Sequence, residues 1–300
     1  MELYKKYRPR NLQRVIGNTA TVQSLRNMLD KGTLPHTILF HGPSGCGKTT
    51  LSRILMKELN CNQIDFHELN CSDFRGIDTV RDIARKMNMA PTGGDCRIWL
   101  LDEVHQMSKD GQNAALKILE DTPSHVYFFL CTTDPQKILK TIRTRCCEMP
   151  VEYLSENDLK RLIRMVCKRE KIEVASDIVD DIVDAAAGSA RTCLVLLDKI
   201  SNLPEDQREG VITSHQADQE CIDLCRALIN KDSWSKVSKI LKGLTVDPES
   251  VRWSVLGYAR AVLLSGSKPQ AYHVITCFED NFYDSKAAGL ARACYEAVIT

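Results

Sequence analysis

What the sequence lacks narrows its class first. No apolar run approaches the ~18 residues that a membrane-spanning helix needs, so no membrane partner is expected. The opening MELYKKYRPR has neither a hydrophobic core nor a small-residue cleavage site, so it is not expected to act as a secretory signal. The expectation is a soluble, cytoplasmic chain, or a nuclear one if the source is eukaryotic. No CxxC occurs among the thirteen cysteines, and without closely paired ligands a structural zinc is not expected. The cysteine number is odd, and Cys96 and Cys131 sit in apolar runs. They read as reduced, buried packing residues of a reducing compartment. An excess of one charge is missing too: 40 Lys and Arg stand against 39 Asp and Glu. That excludes a uniformly basic nucleic-acid coat and leaves room only for local patches. Internal repeats and low-complexity segments are also missing.

What is present is ordinary globular material, 300 residues with 43% hydrophobic and 26% charged side chains. Such a chain can bury several cores without a staple. In the first half, strand-like runs alternate with helical spacing. Thr37–Phe40, Ile64–Leu69, Cys96–Leu101 and Val126–Cys131 read as strands, and Thr50–Leu59, Asp78–Met87 and Gly111–Glu120 as helices. That alternation predicts a doubly wound α/β domain over residues 1–150. The pattern changes after Pro150. Ser155 with Asp158 marks a helix start, a second helix runs from Ser176 to Gly188, and a third from Arg191 to Ile200. Residues 151–205 therefore read as a three-helix domain. Asn202–Gln207 reads as a linker, and the all-α remainder, 206–300, is helical from about Gln219.

The segment Gly42-Pro43-Ser44-Gly45-Cys46-Gly47-Lys48-Thr49 satisfies GxxxxGK[ST], between a strand and a helix as its mechanism requires. Glycines let backbone N–H groups curl around phosphate, and the helix N-terminus adds partial positive charge. Gly42, Gly45, Cys46, Gly47, Lys48, Thr49 and Thr50 are the expected phosphate cradle. Lys48 reaches the β- and γ-phosphates, and the Thr49 hydroxyl serves Mg²⁺. In Ile98-Trp99-Leu100-Leu101-Asp102-Glu103 a strand delivers two carboxylates to its C-terminal end, where open α/β sheets bind ligands. Asp102 is the second expected Mg²⁺ residue, and Glu103 is expected to polarise the attacking water. The pair points to ATP hydrolysis.

Tyr7-Arg8-Pro9, Ile16-Gly17, the phosphate loop and Asp102-Glu103-Val104-His105 together resemble the AAA+ ATPase subunits of sliding-clamp loaders. So do Asn113–Glu120, Thr132–Lys137 and Thr141–Cys146, where Thr144 replaces the family's serine before Arg145 and Cys146. The resemblance covers about residues 1–200. It implies a P-loop (AAA+) α/β domain, a three-helix lid and a helical collar. The four-cysteine zinc module of bacterial members is missing; only Cys61 and Cys71 fall in that region. By resemblance, Tyr7, Arg8, Pro9, Ile16 and Gly17 border the adenine. Thr133 matches the first sensor, and Arg191 the second, which reads the γ-phosphate. Arg145 matches the arginine finger that serves a neighbouring subunit. Asn70 is the expected switch that holds Glu103 away from water. Phe74–Arg81 resembles the start of a DNA-tracking helix, with Arg75, Gly76, Ile77, Arg81 and Arg85 toward the DNA backbone.

The implied function is ATP-driven opening and loading of a sliding clamp onto primer–template DNA. The implied partners are the clamp, that DNA and other loader subunits, as a pentamer. A branch-migration-type AAA+ motor and a non-hydrolysing subunit of the same loader are the alternatives. Two basic clusters stand out besides: Lys5, Lys6, Arg8, Arg10 and Arg14, and then Lys160, Arg161, Arg164, Lys168 and Arg169. The second decorates the polar side of an amphipathic helix and is expected to face solvent.

Overall fold

The apolar runs of the first half pair as one parallel sheet. The computed structural model describes residues 1–73, 76–244, 246–266 and 268–299, with every side chain among them except those of residues 206 and 213–218. Strands β1 (Thr37–His41), β2 (Phe66–Asn70), β3 (Arg97–Asp102), β4 (Val126–Thr132) and β5 (Cys147–Pro150) lie in the order β2-β3-β4-β1-β5. Every neighbouring pair is parallel, so all C-terminal ends share one edge. Four of these strands coincide with the predicted ones to within two residues. The fifth, β5, has no apolar run to announce it, since only Met149 of its four residues is buried.

Side chains alternate across the sheet with period two, and each face is covered by helices. Ile38, Phe40, Ile98, Leu100, Phe129 and Cys131 point to one side, where Val22 and Leu25 of helix α2 (Thr19–Asp30) and Leu51, Ile54 and Leu55 of α3 (Lys48–Glu58) meet them. Leu39, Trp99, Leu101, Phe128 and Leu130 point to the other. There they meet Val80, Ile83 and Met87 of α4 (Ile77–Met87) and Ala115, Ile118 and Leu119 of α5 (Lys109–Glu120). Two further helices are short, α1 (Leu3–Lys6) and α6 (Lys140–Arg143), the latter packed on α5.

One buried ion pair fixes the start of β3. Asp65, fully buried, accepts from Arg97 at 2.8 and 3.2 Å and from the Thr92 and Gly93 N–H groups. Burial raises the Asp65 pKa, but the guanidinium and the two N–H groups outweigh it and hold the carboxyl below its ordinary value. Asp65→Ala strands the Arg97 charge and is expected to cost about 3–5 kcal/mol in a denaturant titration. Because the native pKa is depressed, this stabilisation is present above the ordinary carboxylate pKa and is lost as pH falls through the native value.

Three helices follow the sheet: α7 (Glu156–Glu170), α8 (Ser176–Ala186) and α9 (Ala190–Ser201). Ser155 caps the first by accepting from the Asp158 N–H at 3.2 Å while donating to the Asp158 carboxylate at 2.8 Å. The chain forms two compact units, Met1–Leu203 and Pro204–Thr300, so the sheet and these three helices share the first.

The second unit holds α10 (Glu205–Ile229), α11 (Trp234–Gly243), α12 (Pro248–Leu264), α13 (Gln270–Cys277) and α14 (Lys286–Ile299). Leu224, Leu228, Val237, Val251, Val274 and Phe278 are among its core. The expected linker is corrected here: the helix begins at Glu205, fourteen residues before Gln219, and only Asn202–Pro204 separates it from α9. Glu205–Gly210 is too polar to show an apolar stripe in the sequence. All thirteen cysteines are free thiols, nine of them buried. No helix among the described residues is long and apolar enough to cross a membrane.

Candidate active site

The strand-to-helix turn after β1 closes only because two residues lack a Cβ. Gly42 has φ +148°, and a Cβ there would sit 1.9 Å from the Val151 carbonyl oxygen. Gly45 has φ +76°, with Ser189 Oγ 2.4 Å and Arg191 Cβ 3.4 Å from where its Cβ would be. The phosphate loop thus touches both the segment after β5 and the start of α9. Lys48, at the first position of α3 and 6% exposed, donates from Nζ to the Gly42 and Pro43 carbonyls, each at 2.7 Å. The ammonium is held inside the loop where an anion with suitable oxygens could exchange for those carbonyls.

Parallel register brings the remaining groups to the same edge. Asp102 ends β3, and its Oδ2 accepts from the Thr49 hydroxyl at 2.9 Å. Glu103 follows in a left-handed conformation, φ 52°, and its N–H donates to Asp102 Oδ1 at 3.0 Å. That turn separates the two carboxylates, giving one to Thr49 and the other to Thr133, just after β4. Thr133 donates to Glu103 Oε2 at 3.3 Å, and His105 Nδ1 lies 3.3 Å from the same oxygen. His105 Nδ1 also lies 3.0 Å from Thr132 Oγ1, which accepts from the Asp134 N–H. His105 and Thr133 therefore fix the Glu103 carboxylate, and Thr132 orients the His105 ring. In the sequence His105 was only a letter of a motif, and nothing in its spacing announced the contact.

A cavity of about 290 Å³ opens over the loop. Of the expected residues, Tyr7, Arg8, Pro9, Ile16, Gly45, Cys46, Gly47, Lys48, Thr49, Thr50, Asp102, Glu103 and Arg191 line it, whereas Gly42 and Thr133 do not. Leu154, Leu162, Met165 and Leu194 add an apolar wall, and Tyr4 a ring. Leu162, Met165 and Leu194 carry the spacing of ordinary helix cores, so sequence alone could not distinguish their role. The Tyr7 phenol is pushed up to about 12, by burial first and then by the hydrogen bond it donates to Glu170. Burial likewise pushes the Cys46 thiol up, keeping it protonated.

Several expected residues lie elsewhere. Gly17, with φ +71°, packs against Leu154, 2.4 Å from its Cβ position, and serves the turn rather than the cavity lining. Asn70 donates to Asp73 at 3.1 Å and accepts from the Ser72 N–H at 3.0 Å, and it makes no hydrogen bond to Glu103. Arg145 is outside the cavity lining; it donates to the Thr141 carbonyl at 2.9 Å and pairs with Glu120 at 3.2 Å. On α4, Gly76 is the N-cap and Ile77 is partly exposed. Arg81 pairs with Asp78 at 2.9 Å and Arg85 with Asp82, all four exposed. Arg75 lies outside the described residues.

The two basic clusters meet. Lys6, Arg8, Arg10 and Arg14 from the first and Arg161 and Arg169 from the second line one cleft of about 480 Å³ beside the cavity. The expectation that the second cluster faces solvent holds for the exposure of Arg161 and Arg169, but they share that solvent with the N-terminal cations. Lys160 instead pairs with Asp180 at 2.6 Å.

The family described as DNA polymerase III, delta subunit, matches residues 17–79 and 70–155. The DNA polymerase III subunit gamma/tau of Mycobacterium tuberculosis is 34% identical over 223 residues, 67% of this chain and 39% of that protein. The chain belongs to the AAA+ clamp-loader ATPase family. The DNA polymerase III subunit tau of Bacillus subtilis extends the likeness to 99% of this chain, at 27% identity, covering 58% of its own length. The chain thus spans about two fifths of the mycobacterial clamp-loader relative and under three fifths of the other. Among solved structures, the Holliday junction branch migration motor RuvB of Thermotoga maritima covers 87% of this chain and 91% of its own, with TM-score 0.59 and 19% identity. At that identity RuvB establishes the shared AAA+ fold of this clamp-loader family member, the parallel sheet with its helices.

Proposed function

We propose that the chain is an ATP-hydrolysing subunit of a sliding-clamp loader, using ATP to open a clamp and place it on primer–template DNA. The observation that carries this is the meeting of Lys48, Thr49, Asp102, Glu103 and Arg191 around one cavity at the C-terminal edge of the sheet. The loop N–H groups and Lys48 bind the phosphates, Lys48 exchanging two carbonyls for phosphate oxygens. Tyr7, Pro9 and Ile16, with the apolar wall from the three-helix lid, enclose the base. Thr49 Oγ1 and Asp102 Oδ2, 2.9 Å apart, are hard oxygen donors of the kind magnesium takes, so the residues fit that ion. Bound there, it would neutralise charge on the phosphates.

Glu103 takes the proton of the attacking water at its carboxylate, which Thr133 and His105 hold in place through Oε2. Arg145, off its own cavity, serves the nucleotide of a neighbouring subunit. A role for Asn70 as a switch requires its amide to leave Asp73 and the Ser72 N–H. Residues 206–300 act as the collar through which five subunits assemble. Arg81 and Arg85 meet the DNA backbone by exchanging aspartates for phosphates, which makes binding sequence-independent.

The test is ATP turnover of the purified chain with its loader partners, clamp and primed DNA. Turnover is expected to rise strongly only when clamp and DNA are both present. No turnover in any mixture would leave the non-hydrolysing subunit as the reading, and strand displacement or migration along DNA would favour a motor.

A further inference from the structure

Arg191 carries a charge into the cavity without an anion to meet it. Among the described residues its guanidinium has neither an ion pair nor a hydrogen bond; its recorded side-chain partner is the Tyr4 ring, whose centroid lies 6.0 Å from Cζ. A planar cation over an aromatic face is attracted by the ring's quadrupole and keeps its N–H donors free. The same ring carries Lys5 Nζ at 5.5 Å, but that ammonium is already neutralised by Glu2 at 2.5 Å.

The ring does not float. Helix α1, which contains Tyr4, packs on α9, which contains Arg191. The Leu3 N–H donates to Asp198 Oδ2 at 3.3 Å, two turns further along α9, and the Leu3 side chain is buried. One turn later Lys6 pairs with Glu170 of α7 at 2.6 Å, and Tyr7 donates its phenol to the same carboxylate. Arg169 lies over the Tyr7 ring at 5.9 Å. Residues 3–7 therefore tie both flanking helices of the lid to the segment that lines the base end of the cavity. Arg191 Cβ, for its part, sits against the phosphate loop at Gly45.

We infer that Tyr4 is a positioning residue that holds the Arg191 guanidinium ready for the terminal phosphate, so that the N-terminal segment sets how well the site tells ATP from ADP. This rests on the reading of Arg191 as the group that meets the γ-phosphate. A guanidinium held by a ring face loses less freedom on binding phosphate than one free in solvent. The gain falls on ATP alone, because ADP has no third phosphate for Arg191 to meet.

The experiment is equilibrium binding of ATP and of ADP, each with Mg²⁺, to the purified chain and to Tyr4→Leu, Tyr4→Phe, Arg191→Ala and the Tyr4→Leu/Arg191→Ala double variant. Tyr4→Leu is expected to lower the ATP-over-ADP preference about two- to fivefold, the weight of an exposed cation–ring contact. Tyr4→Phe keeps the ring and is expected to keep the preference. In the double variant the Tyr4 change should add nothing to the loss from Arg191→Ala. Binding of ADP is the control, because a chain that has lost its fold loses both ligands; Tyr4→Gln then serves as the second ring-less variant. An unchanged preference in a folded ring-less variant, alongside a loss in Arg191→Ala, overturns the role of Tyr4. An unchanged preference in Arg191→Ala overturns the underlying reading of Arg191 instead.

Discussion

Arg145→Ala is expected to lower the clamp- and DNA-stimulated ATPase by about 10³–10⁵-fold, the range found for arginine fingers in phosphoryl transfer. ATP binding by the isolated chain should be unaffected. The structure supplies the reason for both halves of this result. Arg145 follows α6 and is anchored by the Thr141 carbonyl and by Glu120 at the end of α5, outside the cavity that holds Lys48. Its guanidinium is thus held without touching its own site, and on the proposed reading the charge it neutralises belongs to a neighbouring chain's nucleotide. Complementation separates this from simple misfolding. Oligomers mixed from Arg145→Ala and Glu103→Gln chains should regain part of the turnover, because some interfaces then pair an intact finger with an intact carboxylate. Full activity of the Arg145→Ala oligomer alone would remove the finger assignment.

Glu103→Gln is expected to lower turnover by about 10²–10⁴-fold while ATP still binds. The amide keeps the shape and can still accept from Thr133, which donates at 3.3 Å. It cannot take a proton. The bound but unhydrolysed state should therefore accumulate, read as a slow single-turnover rate with an ATP affinity close to that of the unsubstituted chain. Loss of ATP binding in this variant would mean that Glu103 supports the loop rather than the chemistry. His105 and Thr132 sharpen the expectation. His105 holds the carboxylate beside Thr133 and is itself tied to Thr132 of β4, so the effect is that of losing an oriented base rather than a mobile one.

The phosphate loop and the acidic pair were legible because their chemistry is local. A strand, a glycine-bearing turn and a helix N-terminus lie within eighteen residues, and four apolar residues before Asp102 suffice to mark the end of β3. Helices with an apolar stripe, such as α7 and α8, were legible for the same reason. Strand β5 and the first turns of α10 were not. The one is four residues with a single buried side chain, and the other opens on Glu205–Gly210, which carries no hydrophobic period to read. Resemblance supplied Arg145 and Arg191 as candidates but not what holds either of them.

Sequence by itself determined the αβ alternation, the anion-binding loop and the carboxylates of one edge, since each depends on residues a few positions apart. Tertiary structure alone decided that Thr133 and His105 converge on the Glu103 carboxylate, because the left-handed turn at Glu103 and the register of β3 on β4 set that direction. It also brought Arg161 and Arg169 beside an N-terminal cluster some 150 residues away, and placed the Tyr4 ring under Arg191. Contacts between residues so far apart in the chain leave no periodicity in the sequence. They exist only once burial of the two helix faces has fixed where the lid and the N-terminal segment lie.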